Sequence, residues 1–199
     1  MADDVSTRSA SGTTTGLAPR RTTGFHHVAY ACRDGEETRS FYEDLLGMPL
    51  VHTEVKRQGD SWFRHLFFDT GDGSCIAFFE VHGVGERPDW RSEISVGAGL
   101  PVWVNHVAFG ADEARVAEVR ARMDAAGVAP LMELDHGWCV SLYYVDPNGI
   151  MVELCRDTEG FAVDPDEARA RLTSTDDTDA TREIIPFDPA GLRGHPALP

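Results

Sequence analysis

Four residues in this chain have the chemistry of metal ligands and sit at matching places. His27 opens the run His-Val-Ala-Tyr and His106 opens His-Val-Ala-Phe, while Glu80 closes Ala-Phe-Phe-Glu and Glu153 closes Ile-Met-Val-Glu. Neutral imidazole and carboxylate together are the donor set of a divalent first-row metal site that keeps positions open for a ligand. Glu153 is flanked by Val152 and Leu154, so an ionised carboxylate there needs a partner. A cation answers that need, and an arginine answers it equally well. One histidine on an apolar strand is ordinarily a hydrogen-bonded core residue; four metal-competent residues at duplicated places are harder to explain by packing.

The stretch from His136 to Glu153 concentrates these signals. Leu142 to Val145 is aromatic and β-branched, Pro147-Asn148-Gly149 supplies turn dihedrals, and Ile150 to Leu154 reads as the returning strand of a hairpin.

The elements that must position these residues come twice. Phe25 to Cys32 reads as a strand, followed by a helix capped by Asp34, with Phe41, Tyr42, Leu45 and Leu46 as its apolar stripe and Gly47 as its end. Strands follow at Leu50 to Val55, Trp62 to Phe68 and Cys75 to Val81. After a Gly- and Pro-rich stretch the order recurs: a strand Val102 to Phe109, a helix Asp112 to Ala126 ended by Gly127, a strand Leu131 to Leu134, and the aromatic hairpin. The copies align residue by residue. Leu46-Gly47 parallels Ala126-Gly127, Trp62 with Leu66-Phe-Phe parallels Trp138 with Leu142-Tyr-Tyr, and Asp72-Gly73 parallels Asn148-Gly149. On this reading His27 pairs with His106 and Glu80 with Glu153. His26 competes with His27, but only His27 precedes Val-Ala as His106 does, and alternation puts its neighbour on the opposite face.

From Gly24 to Asp157 the chain resembles the vicinal oxygen chelate superfamily, which includes glyoxalase I, extradiol ring-cleaving dioxygenases, methylmalonyl-CoA epimerase and bleomycin-resistance proteins. The resemblance implies an α+β fold of two paired βαβββ modules in a cupped, mostly antiparallel sheet. It carries over His27, His106, Glu153 and Glu80 as ligands of a divalent metal. His136, Leu142-Tyr143, Asp146-Pro147-Asn148-Gly149 and Glu153 keep the order of the extradiol dioxygenase signature, although Leu134 departs from the small or β-branched residue expected two before the histidine. That implies Fe(II) on His27, His106 and Glu153, with Tyr143 and His136 hydrogen-bonding a bound diol. Glu80 as a fourth ligand and proton carrier points instead to a glyoxalase-like lyase or epimerase using nickel, zinc, cobalt or manganese. A metal-free drug-binding protein is the third possibility the resemblance admits. His65 and His82 are further candidates to face the cup. Cys155 reads as a core residue.

Composition narrows the partners. The 199 residues carry a net charge of −15, which argues against nucleic acid or an anionic membrane and leaves a small-molecule substrate. Cys32, Cys75, Cys139 and Cys155 are scattered with no zinc-ribbon spacing, as in a reduced, cytoplasmic protein. The pattern divides the chain into a disordered leader (1–23), a first module (24–82), a linker (83–100), a second module (101–157) and an acidic extension (158–199). In the extension, Asp164 can cap a short helix and Ile184-Ile-Pro-Phe187 can dock on the domain or on a second subunit. Both a single-chain cup and a homodimer with exchanged modules fit.

Overall fold

The computed structural model describes residues 24–176 and 181–198; the leader assigned to 1–23 lies outside them. The order is β1 (His27–Cys32), a helix α1 (Gly35–Arg39) continued by wider π-type turns over Ser40–Leu45, β2 (Leu50–Gln58), β3 (Ser61–Asp69) and β4 (Cys75–His82). The second copy has β5 (His106–Gly110), α2 (Glu113–Ala125), β6 (Met132–Asp135), β7 (Cys139–Val145) and β8 (Met151–Asp157). The strands pair in the orders β1-β4-β3-β2 and β5-β8-β7-β6, with only the β1–β4 and β5–β8 contacts parallel. These two βαβββ modules form a cupped, mostly antiparallel sheet.

The turns explain several boundaries. Asp34 accepts from the N–H groups of Glu36 and Glu37, and Asp112 caps α2 through Arg115 N–H. Between the strands expected at Leu50 to Val55 and Trp62 to Phe68 the chain makes a tight Gly59-Asp60 hairpin, with Gly59 at positive φ, so β2 runs three residues beyond Val55. The strand expected from Val102 starts only at His106, because Pro101 opens a turn closed by Val104 N–H on its carbonyl. Within the linker a short 3-10 turn forms at Val96–Ala98, and Ser92, Glu93 and Ser95 are buried.

Alternation gives each sheet one helix-facing side. Phe68, Ile76 and Phe78 from the first module and Leu142, Tyr144, Ile150, Val152 and Leu154 from the second join Tyr42, Leu46, Val119 and Met123 in one core. Two polar features tie the modules together across it. Arg122 Nε donates to the Leu45 carbonyl at 2.7 Å, and an Arg115 N–H donates to the Leu46 carbonyl, satisfying the open end of the first helix. The Asp146-Pro-Asn-Gly149 turn docks on the first module: Tyr42 Oη donates to Asp146 Oδ2 at 3.1 Å, Asn148 Nδ2 to Thr38 Oγ1 at 3.1 Å, and Arg33 N–H to Asn148 Oδ1 at 2.9 Å.

The extension is used in the fold. Helix α3 (Pro165–Arg171) starts at its Asp164 cap, and β9 (Arg182–Ile185) adds an antiparallel strand to β6. The last residues return to the inter-module turn, where Ala197 is buried. No helix among the described residues is long and apolar enough to cross a membrane.

Candidate metal centre

Met151, Glu153 and Cys155 alternate with the core-facing Val152 and Leu154, so Glu153 projects from the side of β8 turned away from the helices. Register sets it beside Ala108 of β5 and Tyr143 of β7. There Glu153 Oε2 lies 3.0 Å from His106 Nε2. The second oxygen, Oε1, accepts from Ser141 Oγ at 2.6 Å, and both Ser141 and Glu153 are buried.

The other nitrogen of His106 decides what that 3.0 Å contact means. His106 Nδ1 is 2.8 Å from the carbonyl oxygen of Trp103, which only accepts, so the ring hydrogen is on Nδ1. Nε2 of a neutral ring then turns a lone pair toward a carboxylate oxygen. Two acceptors at that distance need a cation between them, either a proton or a metal ion. Two ligands at about 2.1 Å and near a right angle would be separated by about 3 Å, so this spacing suits one edge of a metal polyhedron. The donor set therefore fits a divalent ion, with the Nδ1 contact orienting the ring as ligand histidines commonly require.

His136 and Tyr143 form a second pair on the same face. His136 Nε2 is 3.1 Å from Tyr143 Oη, His136 Nδ1 is 3.2 Å from Thr181 Oγ1, and the Tyr143 ring meets His106 edge-on at 6.3 Å between centroids. Burial pushes the Tyr143 phenol up to about 12 and the Glu153 carboxylate adds to this, although a Ser141 hydrogen bond opposes it. The phenol is thus neutral at ordinary pH and available as a donor.

Glu80 does not stand where the sequence comparison put it. Parallel register sets His27 beside Cys75 and Ala29 beside Ala77, just as it sets His106 beside Met151 and Ala108 beside Glu153. The counterpart of Glu153 is therefore Ala77. Glu80 shares the face of Ile76 and Phe78 and points to the helix side, where a Cβ on Gly35 would come within 2.6 Å of its Oε2. Its partners there are Arg64 Nη1 at 2.5 Å and His82 Nε2 at 2.7 Å. His82 thus belongs to the Glu80 cluster.

His27 occupies the same strand position as His106, on the side of its sheet away from the helices, and is exposed. Its Nδ1 lies 2.8 Å from His26 Nδ1, and its ring is 6.0 Å from that of His65. Among the described residues, the groups of three or more donors that all lie within 4.8 Å of one another do not include His27 with His106 and Glu153. His65 shares the His27 face. It stacks on Phe79 at 3.7 Å between centroids, touches Phe67, and is buried, which lowers its imidazole pKa. Phe63, Phe67 and Phe79 make this half of the sheet an aromatic floor.

Among the described residues, one group of three donors does lie within 4.8 Å of one another, and no sequence motif announces it: Cys139, Glu153 and Cys155. Cys139 and Cys155 stand sixteen residues apart with no local motif, and only the β7–β8 register, which pairs Ser141 with Cys155, brings them together.

Comparison with known proteins agrees with this architecture. In the curated protein "Putative ring-cleaving dioxygenase MhqE" of Bacillus subtilis (strain 168), 69 residues align at 35% identity, covering 33% of this chain and 22% of that protein, so the chain spans less than a quarter of that relative. A glyoxylase/bleomycin resistance protein/dioxygenase domain from Frankia sp. EAN1pec superposes with a TM-score of 0.52 at 21% identity, over 71% of this chain and 96% of the other. The fosfomycin resistance protein FosX of Listeria monocytogenes gives a TM-score of 0.49 at 21% identity, over 70% and 97%. A family model for the Glyoxalase/Bleomycin resistance protein/Dioxygenase superfamily matches residues 24–154, and the chain belongs to that superfamily.

Proposed function

We propose that this protein is a divalent-metal enzyme that binds a small aromatic substrate through two adjacent oxygens and opens its ring in the extradiol manner. The observation that carries the reading is the His106–Glu153 contact, with the His106 hydrogen fixed on Nδ1 by Trp103 and the Glu153 carboxylate oriented by Ser141. His106 and Glu153 would hold the ion, and His27 is the third ligand on this proposal because it holds the matching strand position. Two imidazoles and one carboxylate leave positions open for a two-oxygen substrate. When bound, Fe(II) would supply Lewis-acid stabilisation of an ionised diol and the redox capacity for ring opening.

The chain's own residues do the rest. Tyr143, neutral and held 3.1 Å from His136 Nε2, donates to a substrate oxygen, and His136 Nε2 holds the proton that an ionising hydroxyl releases. Phe63, Phe67 and Phe79 offer flat apolar surface suited to a planar ring. The 69-residue match to the "Putative ring-cleaving dioxygenase MhqE" of Bacillus subtilis (strain 168) supports the same class. A glyoxalase-like proton transfer would use a second carboxylate, and with Glu80 engaged by Arg64 on the helix side and Ala77 at the equivalent place, that reading loses its base.

The test is metal analysis of protein purified without a metal-binding tag, followed by anaerobic loading with Fe(II) and oxygen uptake with catechols. One oxygen consumed per catechol opened is expected. Negligible metal uptake would make the protein a metal-free binder, and isomerisation of a thiol hemiacetal without oxygen uptake would make it a lyase.

A further inference from the structure

We propose that Cys139, Cys155 and Glu153 form a separate site for a thiophilic divalent ion, placed against the His106 centre so that the two share one carboxylate. The Sγ atoms of both cysteines and a Glu153 carboxylate oxygen lie within 4.8 Å of one another. They project from adjacent antiparallel strands on one face, with Cys155 directly across from Ser141 and Cys139 diagonal to it. Cys139 is 1% exposed, so its sulfur is already desolvated, while the half-buried Cys155 gives the ion a way in.

Two sulfurs and one oxygen select zinc or cadmium over the harder ions that an imidazole and carboxylate alone would take. Zinc–sulfur bonds near 2.3 Å in a tetrahedron separate the donors by about 3.7 Å, so the three groups need contract by at most about 1 Å, within reach of small side-chain rotations. Ser141 Oγ, 3.6 Å from Cys139 Sγ and 2.6 Å from Glu153 Oε1, stands beside the fourth position. Binding converts both thiols to thiolates and releases their two protons to solvent, with no change of oxidation state.

The two carboxylate oxygens divide the work. Oε2 is turned to His106 and Oε1 to Ser141, on the side of the thiols. Dications on both oxygens repel one another, so filling the thiol site lowers the affinity of the His106 centre. This coupling between the sites rests on the function proposed above; the thiol site itself does not.

Titration of the reduced, metal-free full chain with Cd²⁺ tests the site, followed by near-ultraviolet thiolate-to-cadmium absorption with phosphine as reductant. Saturation at one ion per chain is expected. Cys155→Ser and Cys139→Ser should each weaken binding by more than the ~10–100-fold that losing an outer-sphere partner typically causes. Cys32→Ser and Cys75→Ser, on β1 and β4 of the first module and outside the thiol group, should leave it unchanged. Cys155 is half-buried, so its serine variant keeps the test usable if Cys139→Ser fails to fold. Absence of the absorption, or its persistence in the Cys139→Ser/Cys155→Ser double variant, overturns the site. Parallel Mn²⁺ binding separates the two claims: Cd²⁺ taken by the thiols with no Mn²⁺ uptake supports this site and sinks the His106 centre, whereas Mn²⁺ uptake without thiolate absorption overturns this site alone.

Discussion

Replacing Tyr42 by Phe removes one oxygen and tests how the two modules are held. That hydroxyl is fully buried and donates to Asp146 Oδ2 at 3.1 Å, across the joint between the first helix and the second module's hairpin turn. Asp146 also accepts from the N–H groups of Asn148 at 2.9 Å and Ile150 at 2.8 Å, and from Asn148 Nδ2 at 3.1 Å. Even so, burial dominates and pushes its carboxyl up from 3.8 to about 6. At about pH 8 the group is ionised in both folded and unfolded chains, and a hydrogen bond to a buried charge contributes roughly 1.5–3 kcal/mol, so Tyr42→Phe should destabilise by about 2 kcal/mol.

The pH dependence has a definite sign. The folded pKa lies above the unfolded one, so the folded chain holds the extra proton between about 6 and 3.8. Stability from this group is therefore gained as pH falls through 6, reaching about 3 kcal/mol below the unfolded pKa. Tyr42→Phe removes a donor that favours the charged form, so its Asp146 takes up the proton at higher pH and the deficit against wild type shrinks as pH falls. Urea unfolding of both proteins at about pH 8 and about pH 5.5, with m-values compared, reads this difference directly. A deficit under about 0.5 kcal/mol at the higher pH, or one that grows on acidification, would refute the account of Asp146 as a buried charge held by Tyr42.

Other substitutions address the site and its frame. Glu153→Gln should abolish stoichiometric divalent-metal retention in metal analysis, whereas Glu80→Gln should leave retention unchanged and cost about 1 kcal/mol of stability by weakening the Arg64 and His82 contacts. Equal metal loss in both variants would contradict the assignment of Glu80 to the helix side. Gly149→Ala should cost roughly 2–4 kcal/mol in denaturant unfolding, because Gly149 has φ +78° and its added Cβ would meet the Glu93 Cβ at 2.7 Å. Gly35→Ala, whose Cβ would crowd Glu80 Oε2 at 2.6 Å and Leu66 at 3.3 Å, should cost roughly 1–3 kcal/mol without altering metal content.

The duplicated supersecondary unit was legible because its signals are local: caps at Asp34 and Asp112, glycines after the helices, and aromatic strands around Asp-Gly and Asn-Gly turns. The error over Glu80 came from matching an acid to an acid instead of counting from the turn. Glu80 lies seven residues past Gly73 and Glu153 four past Gly149. In a strand an odd count and an even one land on opposite faces, so the two carboxylates had to point apart. Register, the quantity that decides which side chains meet, depends on both strands of a pair, and a residue type at a strand's end does not contain it.

The same reasoning accounts for what surrounds Glu153. Trp103 acts through its backbone carbonyl, so nothing in its identity announces the contact that fixes the His106 tautomer. Aligning Leu66 with Leu142 makes Ser141 the counterpart of His65, and in the second module that small hydroxyl is what holds a buried carboxylate oxygen in place. Exchanging His65 for Ser141 and Ala77 for Glu153 makes the halves unequal. One half carries packed aromatic rings around a buried histidine, and the other a desolvated carboxylate with hydroxyl, imidazole and thiol neighbours. Duplication thus supplied two copies of a frame, and on the proposed reading the metal chemistry centres on the second copy because that copy placed an acid on the face its register turns away from the core.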